Sequence, residues 1–411
     1  MKIFNRKLKI TSSALLTLCM VFVMTACAEN SSQSEKSQPA EQTTVQPTTM
    51  SAEEINDRKL DKFISDMTLE EKVGQMFFVR CPDEGAVQQV SEYNIGGYIL
   101  FGRDFDGKTK DEVLDDIHSY QNEADIPLLI GVDEEGGTVV RVSSNPNLRE
   151  TPFLSPKDTY ADGGWDAVKQ DAEEKADLLL SLGINVNLAP VCDMTSDEYG
   201  FMYDRSFSSD VDMENRYVRT VVETSKSKKL GTVLKHFPGY GNNSDTHTGI
   251  AYDDRDYSEF ENTDFKPFYQ GIESGADCIL VSHNIVNCMD SEYPASLSQK
   301  VHDILRNEFK FDGVVMTDDL IMDAITDFTG DEAAAVTAAK CGNDLLCCST
   351  VDTQYPAVLE AVQNGEIPEA QVDASVKRIL KWKQNLGIFN IDTYQKKVKS
   401  TEPTDTVGSE E

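Results

Sequence analysis

Positive charge is scarce in this chain of 411 residues: 38 Lys and Arg stand against 71 Asp and Glu, for a formal net charge of −33. Such acidity repels polyanions, so nucleic acid and teichoic-acid-like polymers are poor partners and a neutral or small ligand fits better. A disulfide framework is missing too. Of the nine cysteines, Cys19 and Cys27 fall in the N-terminal segment, and the rest are odd in number and without paired spacing. Cys278, Cys347 and Cys348 sit in apolar runs, which predicts buried thiols. No cysteine or histidine cluster has the spacing of a zinc site, no cofactor is implied, and no internal repeat is visible. The apolar stretch Ala14 to Val23 is too short and too early for a structural membrane helix.

That stretch instead follows Lys2, Arg6, Lys7 and Lys9, and residues 1–27 read as an export signal. Met24-Thr25-Ala26-Cys27 looks like a lipobox with Met where Leu is commoner. Cleavage there leaves Cys27 as a lipidated N-terminus, so the expected location is the extracytoplasmic face of the cell membrane, held by the lipid anchor. Residues 28–50, rich in Ser, Gln, Thr, Glu and Pro, have the composition of a flexible linker. Residues 391–411 form a second polar tail. Between them, residues 51–390 form one expected catalytic domain, larger than the roughly 250 residues of a typical barrel and with room for long loops.

Within that body, Thr68 with Glu71 three residues on reads as a helix N-cap. Apolar, β-rich runs then recur at 76–79, 97–101, 127–132, 186–189, 232–236, 278–282, 313–317 and 344–348. Most are continuously hydrophobic and separated by helical patterns, including 110–122, 165–182, 214–228, 257–274, 298–309, 330–340 and 368–385. Strands of that kind are buried on both faces of a parallel sheet, and the alternation predicts an α/β fold, a (β/α)8 TIM-like barrel.

In such a barrel the chemistry lies just past the C-terminal strand ends. Polar residues gather there: Asp133-Glu134-Glu135-Gly136-Gly137, Asp193, His283-Asn284 and Asp318-Asp319. The densest segment runs from Lys235 to His247, where Pro238, Gly239 and Gly241 forbid a helix. Asp245 and His247 are spaced i, i+2. In an extended loop both face one side, where the carboxylate orients the imidazole and raises its pKa, as a general acid/base requires.

Lys235-His236-Phe237-Pro238-Gly239, then Gly241 and Asp245-Thr246-His247, resembles the signature of family 3 glycoside hydrolases, and specifically of their β-N-acetylglucosaminidase branch. The resemblance spans about Met50 to Gly387. It implies that His247 is the acid/base, Asp245 its partner, and Lys235 and His236 ligands of sugar hydroxyls. Tyr240 stands where the family often has His. The segment Phe311 to Met322 resembles the nucleophile region, which makes Asp318 the nucleophile of a retaining mechanism, with Asp319 as rival or as helix N-cap. Asp133 matches a hydroxyl-binding Asp, with Glu134 in place of the usual Gln and Thr138 in place of a common Arg. Arg205 matches a sugar-binding Arg, against the alternative of a salt bridge to Asp204. Arg141 and His283 match less specifically, and Asp193 has a structural alternative.

Many family members carry a second α/β domain that supplies a carboxylic acid. The chain leaves no length for one, in keeping with an acid/base borne by the barrel. The expected function is a retaining exo-β-N-acetylglucosaminidase acting on GlcNAc-containing glycans such as peptidoglycan fragments. Rival readings are a β-glucosidase or β-xylosidase, a noncatalytic sugar-binding lipoprotein, and a metal-dependent hydrolase using Asp245, His247 and His283.

Overall fold

Side chains that alternate along each apolar run must find cover on both faces, and the chain supplies it by closing the runs into a cylinder. The computed structural model describes residues 50–243, 245–330 and 333–396. The export signal with Cys27, the linker up to residue 49 and the tail from residue 397 lie outside the described residues.

In chain order the strands are β1 (Phe77–Arg80), β2 (Gly97–Leu100), β3 (Leu129–Val132), β4 (Val186–Asn187), β5 (Gly231–Phe237), β6 (Tyr252–Asp253), β7 (Cys278–Val281), β8 (Ile285–Val286), β9 (Val314–Thr317) and β10 (Leu346–Cys348). Eight of them pair in parallel in the order β10-β1-β2-β3-β4-β5-β7-β9. The bridge Met316 to Leu345, with Asp344 N donating to Val315 O at 2.8 Å, joins the last strand to the first and closes the barrel. The eight apolar runs are therefore the eight barrel strands.

Alternation sorts their side chains. Phe78, Ile99, Leu129, Val233, Leu280 and Met316 fill the interior, whereas Phe77, Val79, Tyr98 and Ile130 pack outward under the helices. Phe78 takes up so much of the interior that a Cβ at Gly131 would come within 2.6 Å of its ring. Cys278 and Cys347 are part of that interior and Cys348 of the outer layer, so the expected buried thiols are found.

The helical ring follows the pattern with instructive departures. Thr68 accepts from Glu71 N while its own N–H donates to Glu71 Oε2 at 2.9 Å, the reciprocal cap expected. The segment 257–274 is broken at Thr263–Asp264, where Asp264 turns inward to pair with Arg255. The segment 330–340 shortens to Ala334–Lys340, and a separate helix, Asp323–Thr329, precedes Gly330, whose φ of 62° ends it. Helix Val351–Gln363 was concealed by Pro356 inside it. The two-residue strands β6 and β8 pair with one another beside the barrel, too short to register as a pattern. Among the described residues no helix is long and apolar enough to cross a membrane.

Candidate active site

The C-terminal ends of the strands open on one cavity of about 460 Å³. Asp133, Arg205, Lys235, His236, Asp245, His247 and Asp318 all line it. Those seven candidates are thus brought to a single pocket, while Asp193 and His283 do not line it.

Its floor is a set of charges that hold one another. Lys235 Nζ donates to Asp133 Oδ1 at 2.6 Å and lies 2.7 Å from Glu135 Oε1. Arg205 approaches the same Glu135 with both arms of its fork, Nε to Oε2 at 3.0 Å and Nη2 to Oε1 at 2.8 Å. Burial pushes the Glu135 carboxyl up, but Lys235 and Arg205 outweigh it and hold the acid well below the usual carboxylate range. Lys235 in turn stays protonated: burial works against its charge, and Asp133 and Glu135 reverse the effect. The alternative pairing of Arg205 with Asp204 is not what forms, because the buried Glu135 takes both arms of the fork.

Glu135 was passed over in the sequence. The signal was its i, i+2 spacing from Asp133, which sets both on the cavity side and turns Glu134 away. Glu134 instead accepts from the N–H groups of Arg141 (2.8 Å), Val142 (2.7 Å) and Ser143 (3.3 Å), and from Ser143 Oγ. An acceptor-only carboxylate meets these donors, where a Gln would offer one oxygen. Gly136, at φ 104°, is required beside it, since a Cβ would fall 2.1 Å from Leu154 O.

His236 is oriented from behind. The fully buried Asp193 accepts from His236 N at 3.0 Å and Nδ1 at 2.7 Å, and from Tyr240 N at 2.6 Å. Arg205 Nη2 can only donate, so its 3.3 Å approach to His236 Nε2 places the ring proton on Nδ1. Asp193 therefore has the structural role that was its alternative.

Asp245 Oδ1 accepts from His247 N at 2.9 Å and from His247 Nδ1 at 2.7 Å. The pair meets as expected, but not through an extended loop. Asp245 caps the short 3-10 turn Thr246–Thr248, and the turn curls the imidazole back onto its carboxylate. Nε2 is left as the ring atom open to the cavity, on a side chain 60% exposed. The turn is braced: Tyr240 Oη sits 2.6 Å from Thr246 Oγ1 and accepts from Thr246 N at 2.9 Å. Tyr240 thus serves as a buried strut. Arg255, paired with Asp253 and Asp264, donates to Gly239 O at 3.1 Å and fixes the loop at its root.

Asp318 leaves β9 with its N–H bonded to Val281 O at 3.2 Å and its Oδ1 accepting from Asp319 N at 2.9 Å. Burial pushes its carboxyl up, yet His283, His236, the Asp319 N–H and His247 together keep it below the ordinary value. Asp319 accepts from Ser349 Oγ at 2.6 Å and Ile321 N at 3.2 Å, which ties it to the loop wall. It is not a helix N-cap, because Met322 occupies that place. His283 is buried, donates from Nε2 to Asp319 O at 3.1 Å and accepts at Nδ1 from Ser296 Oγ at 2.7 Å. Both nitrogens are engaged, Nε2 with the Asp319 carbonyl and Nδ1 with Ser296, so His283 has none to offer a metal. Among the described residues no three acidic, His or Cys side chains converge in a way that could hold one. The turn bearing His247 packs on helix Asp323–Thr329, which follows Asp318 in the chain. Arg141 also lines the cavity, its Nε buried and without a partner.

The sequence profile of the glycosyl hydrolase family 3 N terminal domain matches residues 68–382. The chain belongs to glycosyl hydrolase family 3. It is a glycoside hydrolase. A β-hexosaminidase of Hydrogenovibrio crunogenus is 32% identical over 286 residues, covering 68% of this chain and 79% of the relative. The β-hexosaminidase LpqI of Mycobacterium tuberculosis is 32% identical over 327 residues, covering 75% and 81%. Among solved structures, a family 3 β-N-acetylglucosaminidase from Paenibacillus sp. superposes with a TM-score of 0.73 at 29% identity, covering 84% of this chain and 66% of that one. M. tuberculosis LpqI superposes at 0.70 with 27% identity, covering 79% and 96%.

Removing Glu135 leaves the buried Arg205 without its carboxylate and Lys235 with Asp133 alone. Glu135→Ala is expected to lower the unfolding free energy by roughly 3–5 kcal/mol in denaturant titration. A loss under about 1 kcal/mol would show that Lys235 and Arg205 do not depend on it.

Proposed function

We propose that this family 3 enzyme is a retaining exo-β-N-acetylglucosaminidase that removes terminal β-linked GlcNAc from peptidoglycan fragments or related glycans. The observation that carries the reading is the placement of Asp318 and the Asp245–His247 pair on one cavity whose floor is Asp133, Lys235, His236 and Arg205. A carboxylate kept ionised can attack the anomeric carbon, while a histidine oriented through Nδ1 presents Nε2 to the glycosidic oxygen. In the first step Asp318 forms the glycosyl ester as His247 protonates the departing oxygen. In the second, His247 takes a proton from water, which attacks the anomeric carbon and frees Asp318. The charged floor offers the Lys235 ammonium and the Asp133 carboxylate to hydroxyls of a single nonreducing sugar, which suits exo action.

The names of the relatives favour the N-acetyl sugar over glucose or xylose. Hydrolysis of the 4-nitrophenyl β-glycoside of GlcNAc is the direct test. Asp318→Ala is expected to abolish turnover, and His247→Ala to lower kcat by about 10²–10⁴ on a poor leaving group and by less on 4-nitrophenol. Hydrolysis of the glucoside alone, or full activity in either variant, would refute the assignment.

The extracytoplasmic, lipid-anchored location is part of the same proposal, supported by the basic and apolar run ahead of Met24-Thr25-Ala26-Cys27. Cys27→Ala is expected to move the protein out of the membrane fraction. An unchanged distribution would contradict anchoring through that residue.

A further inference from the structure

The floor and the two catalytic groups account for one sugar, but the cavity wall continues beyond them. Phe201, in the long connection between β4 and β5, lines the cavity and remains 37% exposed. Its ring lies 6.3 Å from the imidazole of His247, tilted by 61°. Behind it stand the Tyr240 ring at 5.8 Å and the Arg205 guanidinium at 5.5 Å. Part of the ring is therefore covered by the protein, and the rest is exposed where the residue lines the pocket.

On the reading that His247 protonates the glycosidic oxygen, the departing group must lie on the His247 side of that oxygen. Phe201 is the exposed aromatic ring there. We infer that Phe201 is the platform on which the leaving-group sugar stacks, which makes it a specificity residue for carbohydrate aglycones.

The chemistry favours a pyranose. A flat apolar face beside polar groups matches a ring with C–H bonds on its face and hydroxyls at its edge. Across the pocket Ile321, 46% exposed, and Met322 add apolar surface on the loop after β9. The platform is also held in register with the acid/base. Thr195 Oγ1 donates to Asn242 Oδ1 at 2.6 Å, stitching the loop after β4 to the loop after β5. The Tyr240 ring that backs Phe201 carries the phenol that braces Thr246, the neighbour of His247. A ring needed only for packing would be covered, and this one is not.

The test compares two substrates that share the GlcNAc to be released and differ in what leaves: N,N′-diacetylchitobiose and methyl β-GlcNAc. In Phe201→Ala, kcat/KM for the disaccharide is expected to fall about 10- to 100-fold, as for lost burial of one aromatic contact. For the methyl glycoside it should change by less than about threefold, since methanol has no ring to stack. Inhibition by free GlcNAc should keep its constant, and Phe201→Trp should restore the disaccharide. Equal loss on both substrates, or an unchanged disaccharide rate, overturns the role of Phe201 while leaving the hexosaminidase reading intact. Wild-type enzyme that cleaves neither substrate refutes that reading and the platform with it.

Discussion

A single buried carboxylate, Glu135, gathers Lys235 and Arg205 at the bottom of the pocket. Taking three charges out of water costs far more than any one contact returns, so the cluster is stable only as a set. That constraint organises the site. The two cations cannot swing toward the solvent-facing acids that dominate a chain of net charge −33, because the nearer, drier anion holds them. The acidity of the whole chain and the paired charges of the floor coexist because screening and distance weaken the first while burial strengthens the second.

Above this floor the two groups proposed to react are mounted differently. Asp318 leaves the end of a barrel strand, and its backbone is clamped by His283 and by the link from Asp319 to Ser349. His247 rides on a short turn, exposed at its tip, and is positioned by struts: Tyr240 beneath Thr246, Arg255 beneath Gly239, and helix Asp323–Thr329 alongside. The arrangement suits a nucleophile that must keep one position and an acid/base that must reach first a glycosidic oxygen and then a water. Phe201, packed against the same Tyr240, would place the departing ring in that frame.

Much of this was legible in the sequence, for physical reasons. Barrel strands covered on both faces read as continuous apolar runs, so Leu129–Val132 or Val314–Thr317 could be found without neighbours. The site residues were legible because they lie at the ends of those runs and in a segment of distinctive order. What escaped were pairings set by distant chain. Glu135 meets Arg205 across 70 positions, and Asp319 meets Ser349 across 30. Neither partnership has a local signature, so Asp204 and a helix cap were offered in their place. The Asp245–His247 pair was found through its spacing but assigned the wrong backbone, because an i, i+2 pair meets both in an extended loop and in a capped turn.

The account turns on Asp318 attacking the sugar within reach of His247. Incubation with a fluorinated GlcNAc analogue that accumulates the glycosyl-enzyme, followed by peptide mapping, tests this most directly. The account predicts one covalent sugar per chain, carried by Asp318. A label on Asp319 or elsewhere, or turnover of the analogue with no adduct detectable at any time, would contradict it.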